Sequence, residues 1–230
     1  MNKAITVFKK QVLDTFKNKT VFIQIILMPM MAFIMTTAVK INDMPHNFFV
    51  LLFASMYIGM APTMSMASII AEEKENSTLK VLLMSNVKPW EYLTGVGSYI
   101  WSVCMLGALA FALIGGYQGK EFIWFLIIMA IGILISVIIG AVIGTASKNQ
   151  MMSISLSLPV MMIFSFVPMI SMFNETINKI GRITYSQQTY QLLNNINEFT
   201  ITKESGIVFI STIVISCILF GLAYKRSGLS

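Results

Sequence analysis

The residues able to do chemistry in this chain are few and scattered. Its one histidine is His46, and its two cysteines, Cys104 and Cys217, stand far apart inside apolar stretches. No Ser/His pair, carboxylate pair or His/Cys/Asp/Glu cluster has the spacing that nucleophilic, acid–base or metal chemistry requires. A phosphate-binding loop needs G-x-x-x-x-G-K-[ST], so that backbone N–H groups cradle the phosphates and the lysine reaches the terminal one. The single Gly-Lys pair, Gly119-Lys120, is followed by Glu121 and does not meet that pattern. What remains is one polar run, 72–95, in which Glu72, Glu73 and Glu75 precede Thr78, Leu79, Leu82 and Leu83. Acids followed by a short leucine-bearing stretch make and break no bonds; they suit a grip on another protein or on a membrane surface. No catalytic residue and no metal ligand is assigned, and the chain is expected not to be an enzyme.

The elements that carry this run must live in lipid. Of 230 residues, 56% are hydrophobic and 11% charged, with a mean hydropathy of +0.77, against about 25% charged in a soluble domain. A globule of this size cannot bury so much apolar surface. The charges leave six gaps, each long enough for a helix to cross a bilayer: 21–39, 48–71, 96–116, 122–146, 151–173 and 206–224. None of the six contains Asp, Glu, Lys, Arg or His. The expected fold is therefore all-α, a polytopic integral membrane protein with six transmembrane helices. Residues 1–20 stand apart from a single membrane domain over 21–230. A basic start before 21–39 resembles a signal peptide, but that stretch is longer than the 7–15 residues of a usual signal core and reads as a retained span.

Lys and Arg orient the helices, because they accumulate on the cytoplasmic side. With the N-terminus inside, segments 1–20, 72–95, 147–150 and 225–230 hold 11 of the 16 basic residues and the whole net charge of +6, and the outer segments are neutral. Both termini are expected in the cytoplasm, with the protein in the cell membrane. This asymmetry accounts for the basic character without nucleic acid, and no nucleic-acid partner is assigned.

Two segments outside the spans are informative. In 3–19, Ile5, Phe8, Val12 and Phe16 recur at three- and four-residue steps among Lys9, Lys10, Lys17 and Lys19. This is the pattern of an amphipathic helix lying in the membrane interface with lipid as its partner. It serves either as a basic anchor or as a lever tied to a cytoplasmic partner. In 72–95, Asn76 or Ser77 is placed to cap a short helix whose apolar face is Leu79, Leu82 and Leu83. Asn86 can end it, and Pro89 suits the first turn of the next helix. That short helix either protrudes for a soluble protein or lies on the membrane.

The run Glu73, Glu75, Thr78, Leu79, Leu82, Leu83, Ser85, Val87, Pro89, Glu91, Tyr92 and Leu93 resembles that of the ABC-2 type exporter permeases. So does the layout of a basic amphipathic start, six spans and a long outer connection before the last. One departure is Asn76-Ser77, where many members have a glycine before the Thr-Leu pair. The resemblance implies that 78–84 is a cytoplasmic coupling helix between spans two and three, docking in a groove of a separate cytoplasmic ABC ATPase, with Glu72, Glu73 and Glu75 beside it. It implies a dimer of that ATPase, a second permease copy or paralogue, and a transport path between the two membrane subunits. ATP and Mg would sit on the partner, with no cofactor on this chain. It also implies that 174–205 forms short helices dipping into the outer leaflet over the exit.

The spans add hints about cargo. Their lack of charge disfavours ion-coupled carriage. Methionines, among them Met28, Met31, Met60 and Met64, are flexible and suit varied apolar ligands. They are read either as a path for a hydrophobic or amphipathic substrate or as lipid-facing filler, with a copper site a third reading. Gly132, Ser136, Gly140 and Gly144, four residues apart, form a seam for close helix packing within one subunit. Ser153, Ser155, Ser157 and Ser165 either line a path or bond their own helix, the latter preferred. The function expected is the permease subunit of an ATP-driven exporter for an antimicrobial or toxin peptide, a drug or a lipid-like molecule. The alternative is a non-transporting immunity or sensor protein that sequesters a peptide.

Overall fold

The computed structural model describes residues 3–15, 19–39, 45, 47–85, 87–196 and 202–226. Ten helices occur among them: α1 (Lys3–Thr15), α2 (Lys19–Ala38), α3 (Phe48–Glu75), α4 (Thr78–Met84), α5 (Pro89–Ile114), α6 (Gly119–Ala146), α7 (Gln150–Ser171), α8 (Glu175–Gly181), α9 (Tyr185–Asn194) and α10 (Lys203–Arg226). No strand is present among the described residues. By length and composition α3, α5, α6, α7 and α10 are able to cross a membrane, and α2 contributes a shorter apolar stretch, Ile25–Ala38, within its described part. The chain is thus a polytopic membrane protein. The expected spans over 48–71 and 96–116 run further toward the coupling segment than charge alone indicates. α3 continues through its acids to Glu75, and α5 already starts at Pro89.

Helix α3 is the centre of the bundle, flanked by α2, α5, α6, α7 and α9. The small-residue seam of α6 makes one of these contacts possible. A Cβ on Gly140 would stand 2.5 Å from the Thr63 carbonyl oxygen, and one on Gly144 2.8 Å from that of Ala67. One turn before Gly140, Ser136 Oγ donates to Ile58 O at 2.6 Å. With no hydrophobic force between helices in lipid, such close approach supplies the packing energy. The seam lies within the chain, as its spacing indicates. Elsewhere along α3, Ser165 Oγ of α7 donates to Met56 O at 3.0 Å.

Short helices close one end of the bundle. Asn174 Oδ1 accepts from the N–H groups of Thr176 and Ile177, at 2.9 and 3.2 Å, and starts α8. Helix α9 then enters the bundle. Tyr185 is fully buried, its hydroxyl 2.7 Å from Ser136 Oγ near the middle of α6. Buried amides of α9 are satisfied in turn: Gln187 accepts from Ser171 Oγ (2.8 Å) and Gln188 accepts from Ser205 Oγ (2.8 Å). A polar helix at that depth is tolerated only because its amides are paired inside protein.

Candidate functional site

At the other end of the bundle, three consecutive residues of the polar run bind three different helices. Glu73 is buried (7% exposed); its Oε1 accepts from Lys10 Nζ and, at 2.7 Å, from Gln11 Nε2, both on α1. Lys74 Nζ donates to Thr145 O (2.7 Å) and Ser147 O (2.5 Å) at the end of α6. Glu75 Oε2 accepts from the Gln150 N–H (2.9 Å) at the start of α7. Helix ends leave carbonyls unpaired at one terminus and N–H groups at the other. The ammonium therefore sits where the α6 dipole is negative, and the carboxylate where the α7 dipole is positive. The last turn of α3 is a junction fastened to α1, α6 and α7 together.

The chain then reverses tightly. Asn76 N–H donates to Glu72 O at 3.0 Å and Ser77 N–H to Lys74 O at 3.1 Å. Ser77 has φ +58°, the left-handed region that favours glycine. This position precedes the Thr-Leu pair, so the turn that a glycine would make is made here by serine at some steric cost. Backbone bonds, not the Asn76 or Ser77 side chain, form the turn. The short helix begins at Thr78 and ends at Met84, the limits read from the sequence.

Its orientation differs from the sequence reading. Leu79 is 4% exposed and Leu82 half-buried, both packed toward the chain's own core. Leu79 lines a small hollow together with Ile70, Pro89, Tyr92 and Tyr224. The outward residues are Lys80, Val81 (64% exposed), Met84 (87%) and Ser85. Thus Leu79 and Glu73, assigned from sequence to a partner-facing surface, are spent inside the chain. The reason is physical: a seven-residue helix has too few contacts to stand alone and is held by its apolar side. Glu72 and Thr78 are half-buried and Glu75 is exposed. The side chain of Leu83 and residue Asn86 lie outside the described residues.

Helix α1 is likewise turned. Val7 is buried and sits tightly on Gly95 of α5, Gln11 is buried, and Phe8 meets Tyr99 edge to face with centroids 6.1 Å apart. Ile5, Val12 and Leu13 face outward. The helix therefore has a protein-facing stripe, Val7 and Gln11, beside an outer apolar one; the single stripe Ile5–Phe8–Val12 divides between them. Phe16 lies outside the described residues. Gln11 carried no signal in the sequence, since a lone amide among lysines reads as solvated.

Met28, Met31, Met60 and Met64 are all half-buried, and none lines the apolar cleft described below. Ser155 Oγ bonds its own helix, whereas Ser165 bonds α3, and Ser153 and Ser157 are buried with no partner among the described residues. No cluster of metal-ligating residues occurs among the described residues. The arrangement offers mechanical linkage rather than bond chemistry.

Comparison with family models gives one described as ABC-2 family transporter protein, matching residues 47–225. Comparison with curated proteins finds no match.

Proposed function

The chain belongs to the ABC-2 family of transporter proteins, and from that premise we propose that it is the permease subunit of an ATP-driven exporter in the cell membrane. A separate cytoplasmic ABC ATPase holds α4 by its outward residues Val81, Met84 and Ser85. ATP and Mg are bound by that partner and not by this chain. A second permease copy or paralogue completes the path, and the substrate is hydrophobic or amphipathic: an antimicrobial or toxin peptide, a drug or a lipid-like molecule. Met28, Met31, Met60 and Met64 are the residues proposed for the path.

One observation carries this proposal. Helix α4 is seated by Leu79, presents Val81 and Met84 outward, and hangs from the turn of α3 whose Glu73, Lys74 and Glu75 grip α1, α6 and α7. Displacement of α4 by a closing ATPase is thereby shared among four helices at once. Six spans complete the topology. Helix α1 packs on Gly95 near the α4 end, and α3 begins at the far end, where Val50 approaches Gly115. The 20 residues of α2 give a helix of about 30 Å at 1.5 Å per residue, long enough to be the sixth span.

Copurification tests the proposal. Tagged wild type is expected to bring down a cytoplasmic ATPase, and Val81→Asp/Met84→Asp to lose it while remaining folded in the membrane. Retention by the double variant would remove α4 as the contact. Absence of any ATPase from wild type, even after crosslinking, would favour a sequestering protein instead.

A further inference from the structure

A cleft of about 500 Å³ opens on the side of the bundle between α5 and α10. It exists because α5 and α10 each rest on α6, with the space between them left unfilled. Its floor is the buried Met66, Val137 and Ala141; its rim, Thr94, Ser98, Leu134 and Cys217, is exposed. The volume is that of a small-molecule site, about 300–1,000 Å³, yet the lining is almost wholly apolar. Water at this depth would find no hydrogen-bond partners, so hydrocarbon is the matching occupant.

The charge at one end says which hydrocarbon. Toward α4 lies a separate small hollow that shares the lining residues Leu93 and Phe220 with the cleft and includes Leu79, Pro89 and Tyr224. Lys80, Lys88 and Lys225 adjoin those last three in sequence, and all are exposed. The nearest acid along α5, Glu91, is occupied, its Oε2 accepting from the Lys88 backbone N–H at 2.8 Å. Basic residues beside an apolar groove attract anionic headgroups. We propose that the cleft binds one anionic phospholipid, with an acyl chain along Met66, Val137 and Ala141 and the headgroup among Lys80, Lys88 and Lys225. This depends on the chain being embedded in a membrane and not on the ATPase or on the direction of transport.

Gly97 gives the test. A Cβ there would meet Val137 Cγ1 at 3.4 Å and Met66 Cε at 3.9 Å, ordinary contacts, so Gly97→Ala is tolerated and Gly97→Leu fills the cleft. The full chain is placed in vesicles carrying phosphatidylglycerol with a photoactivatable acyl chain, or the same chain on phosphatidylcholine, and the labelled peptides are mapped. Labelling should concentrate around Gly97 and Cys217, favour phosphatidylglycerol several-fold, and fall several-fold at this site alone in Gly97→Leu. The surface variant Lys80→Gln/Lys88→Gln/Lys225→Gln should lose the headgroup preference and keep the fold. Labelling spread evenly over the lipid-facing helices, or equal for the two lipids, would overturn the proposal. So would displacement of the label by an added lipophilic amine without headgroup preference, which would assign the cleft to a transported amphiphile.

Discussion

Glu73 is the residue whose surroundings differ most from its sequence setting. In a run of four charges it reads as a solvated acid, yet its carboxylate is buried and held by Lys10 and Gln11. Lys10 retains a third of its side-chain exposure and also lies 3.6 Å from Asp14. Breaking such a pair is asymmetric. Lys10→Met leaves a buried carboxylate with only an amide donor from α1, whereas Glu73→Leu leaves a lysine free to turn to water. Lys10→Met should therefore destabilise more than Glu73→Leu, and the double variant should recover part of the loss. Thermal unfolding in detergent across the four proteins should give a coupling of about 1–3 kcal/mol. Additivity within about 0.5 kcal/mol would mean that the Lys10–Glu73 pair does not help to hold α1.

At the scale of elements, the α3–α6 contact depends on what α6 lacks. Gly140→Ala would push a methyl into the Thr63 carbonyl and Met66 Cβ, both closer than 3 Å to the added atom. Neither the backbone nor a Cβ can rotate away, and overpacking of this kind costs about 1–3 kcal/mol. Gly221→Ala in α10, with nothing within 4 Å, is the control; helix propensity makes it neutral or favourable by up to about 1 kcal/mol. Equal melting temperatures for the two variants would show that the seam is not tight. This seam was legible in the sequence because a four-residue spacing of small residues has one geometric meaning on a helix. The limits of α4 were legible too, from Asn76-Ser77 before it, Asn86 after it and the family resemblance over 78–84. Which way α4 faces was not. An apolar stripe on a short helix fits a partner's groove or the chain's own core equally, and only Tyr92, Tyr224 and Ile70, brought near by the fold, decide for the core. The depth of α9 was hidden for a similar reason: Gln187 and Gln188 read as surface residues until Ser171 and Ser205 are placed against them.

For the whole molecule, the two ends of the bundle carry different loads. One gathers α1, α4, the junction at Glu73–Glu75 and Tyr224 of α10; the other gathers α8 and the Gly115–Gln118 turn. Segments at the first end hold the whole net charge of +6, and basic excess within short connections is what holds a membrane protein's orientation. The first end should then be cytoplasmic. In a background with Cys104 and Cys217 replaced by alanine, single cysteines at Met84 and at Ile180, both exposed, report the two ends. A membrane-impermeant maleimide added to intact cells should label Ile180→Cys and leave Met84→Cys unlabelled until the membrane is opened. Labelling of both from outside would require an even number of crossings between them, against the three that α5, α6 and α7 supply. The reverse pattern, with Met84→Cys labelled alone, would invert the protein. It would also remove α4 from the reach of any cytoplasmic ATPase, because the helix and the charge that orients it stand at the same end.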